Sequence, residues 1–287
     1  MTPDQYCQKK AAASGSSFYY SFLFLPPERR RAITALYAFC REVDDVVDEC
    51  REPDVARRKL DWWREQVRET FEGHPSHPVG QALQPCLERF NLPQEHFQEV
   101  IDGMQMDLDF DAYPTFTELS LYCYRVASVV GLMSAEIFGY QERETTRYAH
   151  DLGMAFQLTN ILRDVLEDAR RGRIYIPLDE LEKFGVDPRE LQRPQTSERL
   201  QALFAFQADR ARDYYRRAFA HLPDTDRYAQ RSGIIMAAIY RTLLDEIAED
   251  GYRVLEHRIH LTPLRKLWIA WRTARRERRY HRRGDHS

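Results

Sequence analysis

Two sets of acidic residues have the types and spacing to do chemistry together. The first is Asp44-Asp45-Val46-Val47-Asp48-Glu49, in which Asp44 and Asp48 lie four apart. On a helix they share a face, and that face runs back through Arg41 and Tyr37. Val43, Val46 and Val47 fall between them and can turn to a core. The second set is Gln157, Asn160, Asp164 and Asp168, spaced by three, four and four, again one helical face, and all four side chains carry oxygen. Oxygen donors of this kind suit a hard divalent cation, and Mg²⁺ typically takes one or two carboxylates plus substrate phosphates. One helix cannot complete such a site, but two acidic helices facing each other can hold metal between themselves and a diphosphate, whose departure the metal would assist. A single Asp-x-x-x-Asp is otherwise an ordinary solvated helix face. Here there are two, each in an apolar stretch with an arginine beside it. Arg163 precedes Asp164, and Arg170, Arg171 and Arg173 follow the second set. That basic cluster suits phosphate oxygens and equally suits the negative end of a helix dipole.

The elements that must carry these faces are helices. Fourteen prolines leave long uninterrupted stretches at 28–52, 54–74, 115–176, 195–222 and 224–262. Glycine is sparse, strand-like alternation is missing, and Asp-Gly occurs only at 102–103 and 250–251. Long periodic segments with few breakers read as helices, and typical helix lengths give roughly eight to eleven of them. Pro26-Pro27-Glu28 and Pro53-Asp54 read as helix starts, and Thr115 with Glu118 as a cap before an apolar run. Residues 170–196, with Gly172, Pro177, Gly185, Pro188 and Pro194, form a long connection of the kind often used as a lid. The alternate aspartates Asp107, Asp109 and Asp111 do not share a helix face and read as a helix end and loop before Pro114, with no metal.

The chain has 287 residues, 43% hydrophobic and 30% charged, and a formal net charge of −3. That balance belongs to a globular protein and excludes a disordered chain or disulfide scaffold. With no internal repeat and no linker composition, a single domain over 1–287 is expected. Five cysteines without C-x-x-C spacing fit a reducing compartment. No apolar leader and no run of 18 apolar residues is seen. The expected location is therefore the cytoplasm. Charge is unevenly spread: residues 264–283 hold nine Lys or Arg against Glu277, a local +8, which leaves −11 on the rest. This basic tail at about 264–287, with Leu264, Leu267, Trp268 and Trp271 on one side, suits peripheral docking at the inner membrane surface. Its alternative is a terminal helix that packs its Trp face on the domain. The overall charge gives no reason to expect nucleic acid.

Residues 152–177, LGMAFQLTNILRDVLEDARRGRIYIP, resemble the second signature of the squalene/phytoene synthase family, and 122–131, YCYRVASVVG, its first. YAFCREVDDVVD at 37–48 is similar to the family's first aspartate-rich region, and SFYYSFLFLP at 17–26 to its N-terminal substrate segment. The resemblance runs from about residue 15 to 260. It implies the all-α isoprenoid synthase fold, with helices around a deep central cavity, and Mg²⁺-dependent head-to-head condensation of two allylic diphosphates, using two or three ions. The wording at 1–50 and Arg125 is most similar to the bacterial presqualene diphosphate synthases of hopanoid-type pathways. That implies farnesyl diphosphate as substrate, presqualene diphosphate as product, downstream hydroxysqualene- or squalene-forming enzymes as partners, and no requirement for NADPH. The alternatives are a complete NADPH-dependent squalene synthase, a phytoene or dehydrosqualene synthase, and a catalytically inactive assembly relative. The last loses metal aspartates, whereas all four remain here. A di-iron oxygenase would need Glu-x-x-His on its helices, which neither acidic segment has.

By the same resemblance Asp44, Asp48, Asp164 and Asp168 bind Mg²⁺ with Asn160 assisting. Arg41, Arg163, Arg173 and Arg258 hold diphosphate, with Gln157 in the substrate site. Phe18, Tyr37, Tyr122 and Tyr240 face the carbocation, and Tyr122 steers it or relays the lost proton. Tyr122, Tyr37, Arg163 and Asp164 are the expected catalytic group. Ala127, Ser128 and Gly131 read as close-packing positions between helices.

Overall fold

A computed structural model describes residues 1–13, 17–50 and 52–284. The described residues form fourteen α-helical segments. These are α1 (Pro3–Ala13), α2 (Ser17–Phe22), α3 (Pro27–Glu49), α4 (Pro53–Phe71), α5 (Pro78–Leu87), α6 (Gln94–Asp109), α7 (Phe116–Cys123) and α8 (Val129–Phe138). They continue with α9 (Glu144–Arg170), α10 (Leu178–Lys183), α11 (Glu198–Ala220), α12 (Asp224–Arg227), α13 (Arg231–Glu249) and α14 (Pro263–Gly284). The number exceeds the expected eight to eleven because α2, α10 and α12 have six residues or fewer. In addition, α7 and α8 are one helical course divided by a π-helical turn at Tyr124–Ser128.

Local chemistry sets the boundaries as read from the sequence. Pro27 and Pro53 stand at the first turns of α3 and α4, where a missing N–H costs nothing. Thr115 caps α7 in a reciprocal box: its hydroxyl accepts from the Thr117 amide, and Glu118 accepts from the Thr115 amide.

Helix α9 has fifteen buried residues spread around its circumference, from Thr145 to Ala169. A helix of that kind must sit inside the protein. Its polar stripe, Gln157, Asn160, Asp164 and Asp168, therefore turns to an internal cavity rather than to bulk solvent. Across that cavity stands α3, which buries Val43, Val46 and Val47 behind its own acidic stripe. The walls between come from α2, α6, the α7–α8 course and α13. By length and composition, Phe116–Phe138 would cross a bilayer. In the fold Leu119, Tyr122, Cys123, Val129, Met133 and Ile137 are buried against protein.

Two glycines let the cavity walls close. A Cβ at Gly153 would stand 2.6 Å from Ser128 Cα and 2.7 Å from the Ala127 carbonyl oxygen. One at Gly131 would stand 2.5 Å from the Ala149 carbonyl oxygen. These backbones touch, so Ala127, Ser128 and Gly131 are the close-packing positions expected of them.

The connection 170–196 is not a free lid, which corrects the sequence expectation. Leu181, Val186 and Leu191 are buried in it, and the largely buried Glu180 pairs with Arg210. Gln192 Nε2 donates to the Ala169 carbonyl at 3.2 Å. Its start is laced to the loop after α6: the Ile174 amide donates to the Asp111 carbonyl at 2.8 Å and the Leu178 amide to the Tyr113 carbonyl at 3.0 Å.

The basic terminal segment forms helix α14, and the face that packs is not the Trp face. It buries Ile269, Ala270, Thr273 and Glu277, while Trp268 and Trp271 stay exposed. Residues 285–287 of the expected tail lie outside the described residues.

The Gly153 contact makes a prediction. Gly153→Ala must push α9 from the π-helical turn, and overpacking of this kind costs about 1–3 kcal/mol. The melting temperature should fall by roughly 2–10 °C in a thermal denaturation scan. An unchanged melting temperature would show that the backbones are not in contact.

Candidate active site

All fourteen residues singled out from the sequence line one cavity of about 780 Å³. Acids and arginines gather where α3, α9 and the segment 258–261 meet, and aromatic and aliphatic side chains line the rest.

Asp44, Asp45, Asp48 and Asp164 are each met by a cation. Arg41 donates to Asp44 at 2.6 Å and to Asp45 at 2.7 Å. Asp45 is also held by Lys10 at 2.8 Å. Asp48 receives Arg173 at 2.8 Å and Arg171 at 3.2 Å, so the basic cluster after α9 reaches across to α3. Arg163 grips Asp164 with two donors. Arg258, from the segment between α13 and α14, reaches the same carboxylate at 2.9 Å.

The cations do not balance every acid. Burial raises the Asp44 carboxyl to about 6, with Asp48 adding to the rise and Arg41 opposing it. Asp168 is raised to about 7 by burial and then by the neighbouring Asp164 and Glu167. Such carboxylates favour an additional positive charge. The Asn160 Oδ1 atom is buried with no hydrogen-bond partner, while its Nδ2 leans on Gln157 Oε1 at 3.5 Å. An orphaned carbonyl oxygen beside under-neutralised carboxylates fits a divalent cation. Among the described residues, no three acidic, His or Cys side chains converge tightly enough to hold an ion by themselves. Metal held here would need further oxygens from a ligand, which is the ordinary Mg²⁺ pattern.

The same cavity is lined by an aromatic cluster. The Phe18 ring meets Tyr37 at 5.7 Å, Phe156 at 6.2 Å and Tyr240 at 6.4 Å, and Phe156 meets Tyr240 at 5.0 Å. Ring faces and edges here border apolar wall residues such as Leu36, Val130, Leu152 and Met236.

The sequence reading of Asp107 needs correction. It does end α6, but it is not a bystander: it lines the cavity. Tyr175 OH donates to it at 2.7 Å and Tyr122 OH at 3.1 Å. The Tyr122 and Tyr175 rings stack at 5.1 Å. Burial raises Asp107 to about 6 against the pull of Arg173 and the two hydroxyls. Burial, then Asp107, pushes both phenols well above their ordinary value, so they stay neutral donors. The sequence signal was present in Tyr175 of the second signature. Its partner could be found only through the pairing of the 110–114 and 172–178 segments.

Comparison with known proteins gives one consistent family. A family model described as squalene/phytoene synthase matches residues 11–265. The chain is 40% identical over 277 residues to a protein named phytoene synthase from Arthrospira platensis, covering 91% of this chain and 89% of that one. Among solved structures it is similar to a dehydrosqualene synthase bound to a ligand, with 30% identity, a TM-score of 0.85 and 97% of each chain covered. It is also similar to the squalene synthase HpnC of Alicyclobacillus acidocaldarius, with 29% identity, a TM-score of 0.77, and 87% and 94% covered.

The raised carboxyls predict a pH dependence. A carboxyl that holds its proton more tightly folded than unfolded stabilises the fold at low pH, and that stability is lost as pH rises through the folded value. For Asp44 and Asp107 the loss runs from the ordinary value of 3.8 up to about 6, and for Asp168 up to about 7. Chelator-treated protein should therefore melt higher at about pH 5 than at about pH 8, and Mg²⁺ should recover part of the difference at the higher pH. Asp107→Asn should flatten the dependence without abolishing it. A melting temperature that rises with pH over this range would contradict the assignment.

Proposed function

The chain belongs to the squalene/phytoene synthase family and is a prenyltransferase, and we propose that it joins two molecules of geranylgeranyl diphosphate head to head to form phytoene. The observation that carries the coupling is the pairing of two acidic helix faces, ringed by arginines, above an aromatic-lined cavity. The choice of substrate is supported by the 40% identity to a relative named phytoene synthase. This moves the product from the presqualene diphosphate expected from the sequence. A second reading, coupling of farnesyl diphosphate, is supported by the likeness to a dehydrosqualene synthase and to squalene synthase HpnC.

In this proposal Asp44, Asp48, Asp164 and Asp168, with Asn160, hold Mg²⁺ together with diphosphate oxygens. Bound Mg²⁺ supplies positive charge that makes diphosphate a better leaving group. Gln157 orients Asn160. Arg41, Arg163, Arg173 and Arg258 exchange their carboxylate partners for diphosphate oxygens, so little new charge must be buried when substrate enters. Loss of diphosphate from one substrate leaves an allylic cation at C1. Phe18, Tyr37 and Tyr240 offer it ring faces, and the apolar walls keep water from it. The double bond of the second substrate attacks that carbon, and loss of a proton closes a cyclopropane. Tyr122, held neutral and oriented by Asp107, steers this collapse, and the departing diphosphate takes the proton. A second loss of diphosphate and of a proton opens the ring to phytoene. Two diphosphates and two protons leave in all, and the electrons balance without a reductant, so NADPH is not required. Squalene formation would instead need a hydride at the second stage.

The test is product identification. Purified protein with geranylgeranyl diphosphate and Mg²⁺ should yield phytoene by mass spectrometry, with or without NADPH. Coupled product from farnesyl diphosphate alone would establish the second reading, and no product from either would overturn both. Asp44→Ala and Asp164→Ala should each lower turnover by about a thousandfold or more while circular dichroism stays the same. Turnover near the wild-type level in either variant would remove the metal role. Tyr122→Phe, which loses the hydroxyl but keeps the ring, should lower turnover by roughly ten- to a hundredfold without changing the melting temperature by more than a few degrees.

A further inference from the structure

Helix α14 has two faces that do not match each other. One packs on the protein through Ile269, Ala270, Thr273 and Glu277, the last paired with Arg227. The other begins with Leu264, Leu267, Trp268 and Trp271, which are 80%, 41%, 54% and 51% exposed. With 3.6 residues per turn, the same face continues into Arg275, Arg278, Arg279 and Arg282, all exposed. Arg272 and Arg275 lie over the Trp268 and Trp271 rings at 5.1 and 5.3 Å. Apolar and aromatic groups with flanking arginines form the pattern of a helix that lies in a bilayer interface.

We infer that this face docks α14 flat on an anionic phospholipid surface, with Leu264, Leu267, Trp268 and Trp271 entering the interface and the arginines on headgroup phosphates. Charge fixes the occupant and the orientation. Residues 264–283 carry +8 and the remainder −11, so the attraction to an anionic surface is concentrated on α14 while the body as a whole opposes it. Indole rings suit the headgroup boundary because one edge is apolar and the N–H can stay wet. The docked face also has a destination. Arg258, Ile259, His260 and Leu261, which lead into α14, and Lys266 in its first turns all line the cavity. The docked helix is thus joined to the cavity wall through its opposite side, and an apolar product would leave close to the bilayer. This last step rests on the proposed function, but the docking itself does not.

The test uses full-length protein without substrate, so its result is independent of the activity. Wild-type protein should co-sediment with vesicles of phosphatidylglycerol mixed equally with phosphatidylcholine, bind pure phosphatidylcholine at least about tenfold more weakly, and lose binding as salt rises. Trp268→Ser with Trp271→Ser, and separately Arg275→Glu with Arg279→Glu, should each weaken binding by about tenfold or more. Both pairs are solvent-exposed, and both variants should keep the wild-type melting temperature and detergent-assayed turnover. Failure of the wild type to bind anionic vesicles, or unchanged binding in both variants, would overturn the inference. So would loss of a wild-type dimer in the Trp variant, which would assign the face to a second copy of the chain.

Discussion

The arrangement depends on the cost of holding several carboxylates at the rim of an apolar cavity. Asp44 and Asp48 on one helix face Asp164 and Asp168 on another, and burial penalises the charge of Asp44 and Asp168. The structure offsets this with arginines drawn from four places: Arg41 on α3, Arg163 on α9, Arg173 beyond its end and Arg258 before α14. The offset is incomplete at Asp44 and Asp168, whose protons are held more tightly than usual. In the proposed mechanism that remainder is the electrostatic opening for a divalent cation, and the arginines would change partners when a diphosphate arrives. Much of the architecture serves this opposition. The α6 and α9 exit loops are tied together, which fixes Arg173 against Asp48 and Tyr175 against Asp107.

The cavity beneath needs the reverse property. A carbocation survives only where water is scarce and electron-rich faces are near. The close contact of α9 with the π-helical turn, allowed by Gly131 and Gly153, removes the space a solvent channel would need along that wall. The Phe18, Tyr37, Phe156 and Tyr240 cluster lines the same cavity as the acids.

Much of this was legible in the sequence, because an α-helix converts spacing into a face. The stripes Tyr37, Arg41, Asp44, Asp48 and Gln157, Asn160, Asp164, Asp168 follow from residue spacing alone, and the valines told which side α3 buries. What stayed hidden depends on contacts between distant segments. Asp107 sits in an alternate run with Asp109 and Asp111 that reads as a frayed helix end, and its value comes from a tyrosine 68 residues further on. The 170–196 connection carries the prolines and glycines of a lid, but Leu181, Val186 and Leu191 fasten it. For α14, composition gave both an apolar side and a basic side without saying which side packs, and burial of Ile269 and Ala270 decided it. Prenyl length belongs to the depth of the pocket, which spacing does not show.

The central claim is that these carboxylates bind metal jointly with a diphosphate and not alone. Titration calorimetry of Mg²⁺ into the protein, with and without inorganic diphosphate, tests this directly. The account predicts weak binding to the protein by itself, at least about tenfold tighter binding with diphosphate present, and loss of that gain in Asp44→Asn and Asp168→Asn. Equal Mg²⁺ affinity with and without diphosphate, or a gain that survives both substitutions, would contradict it.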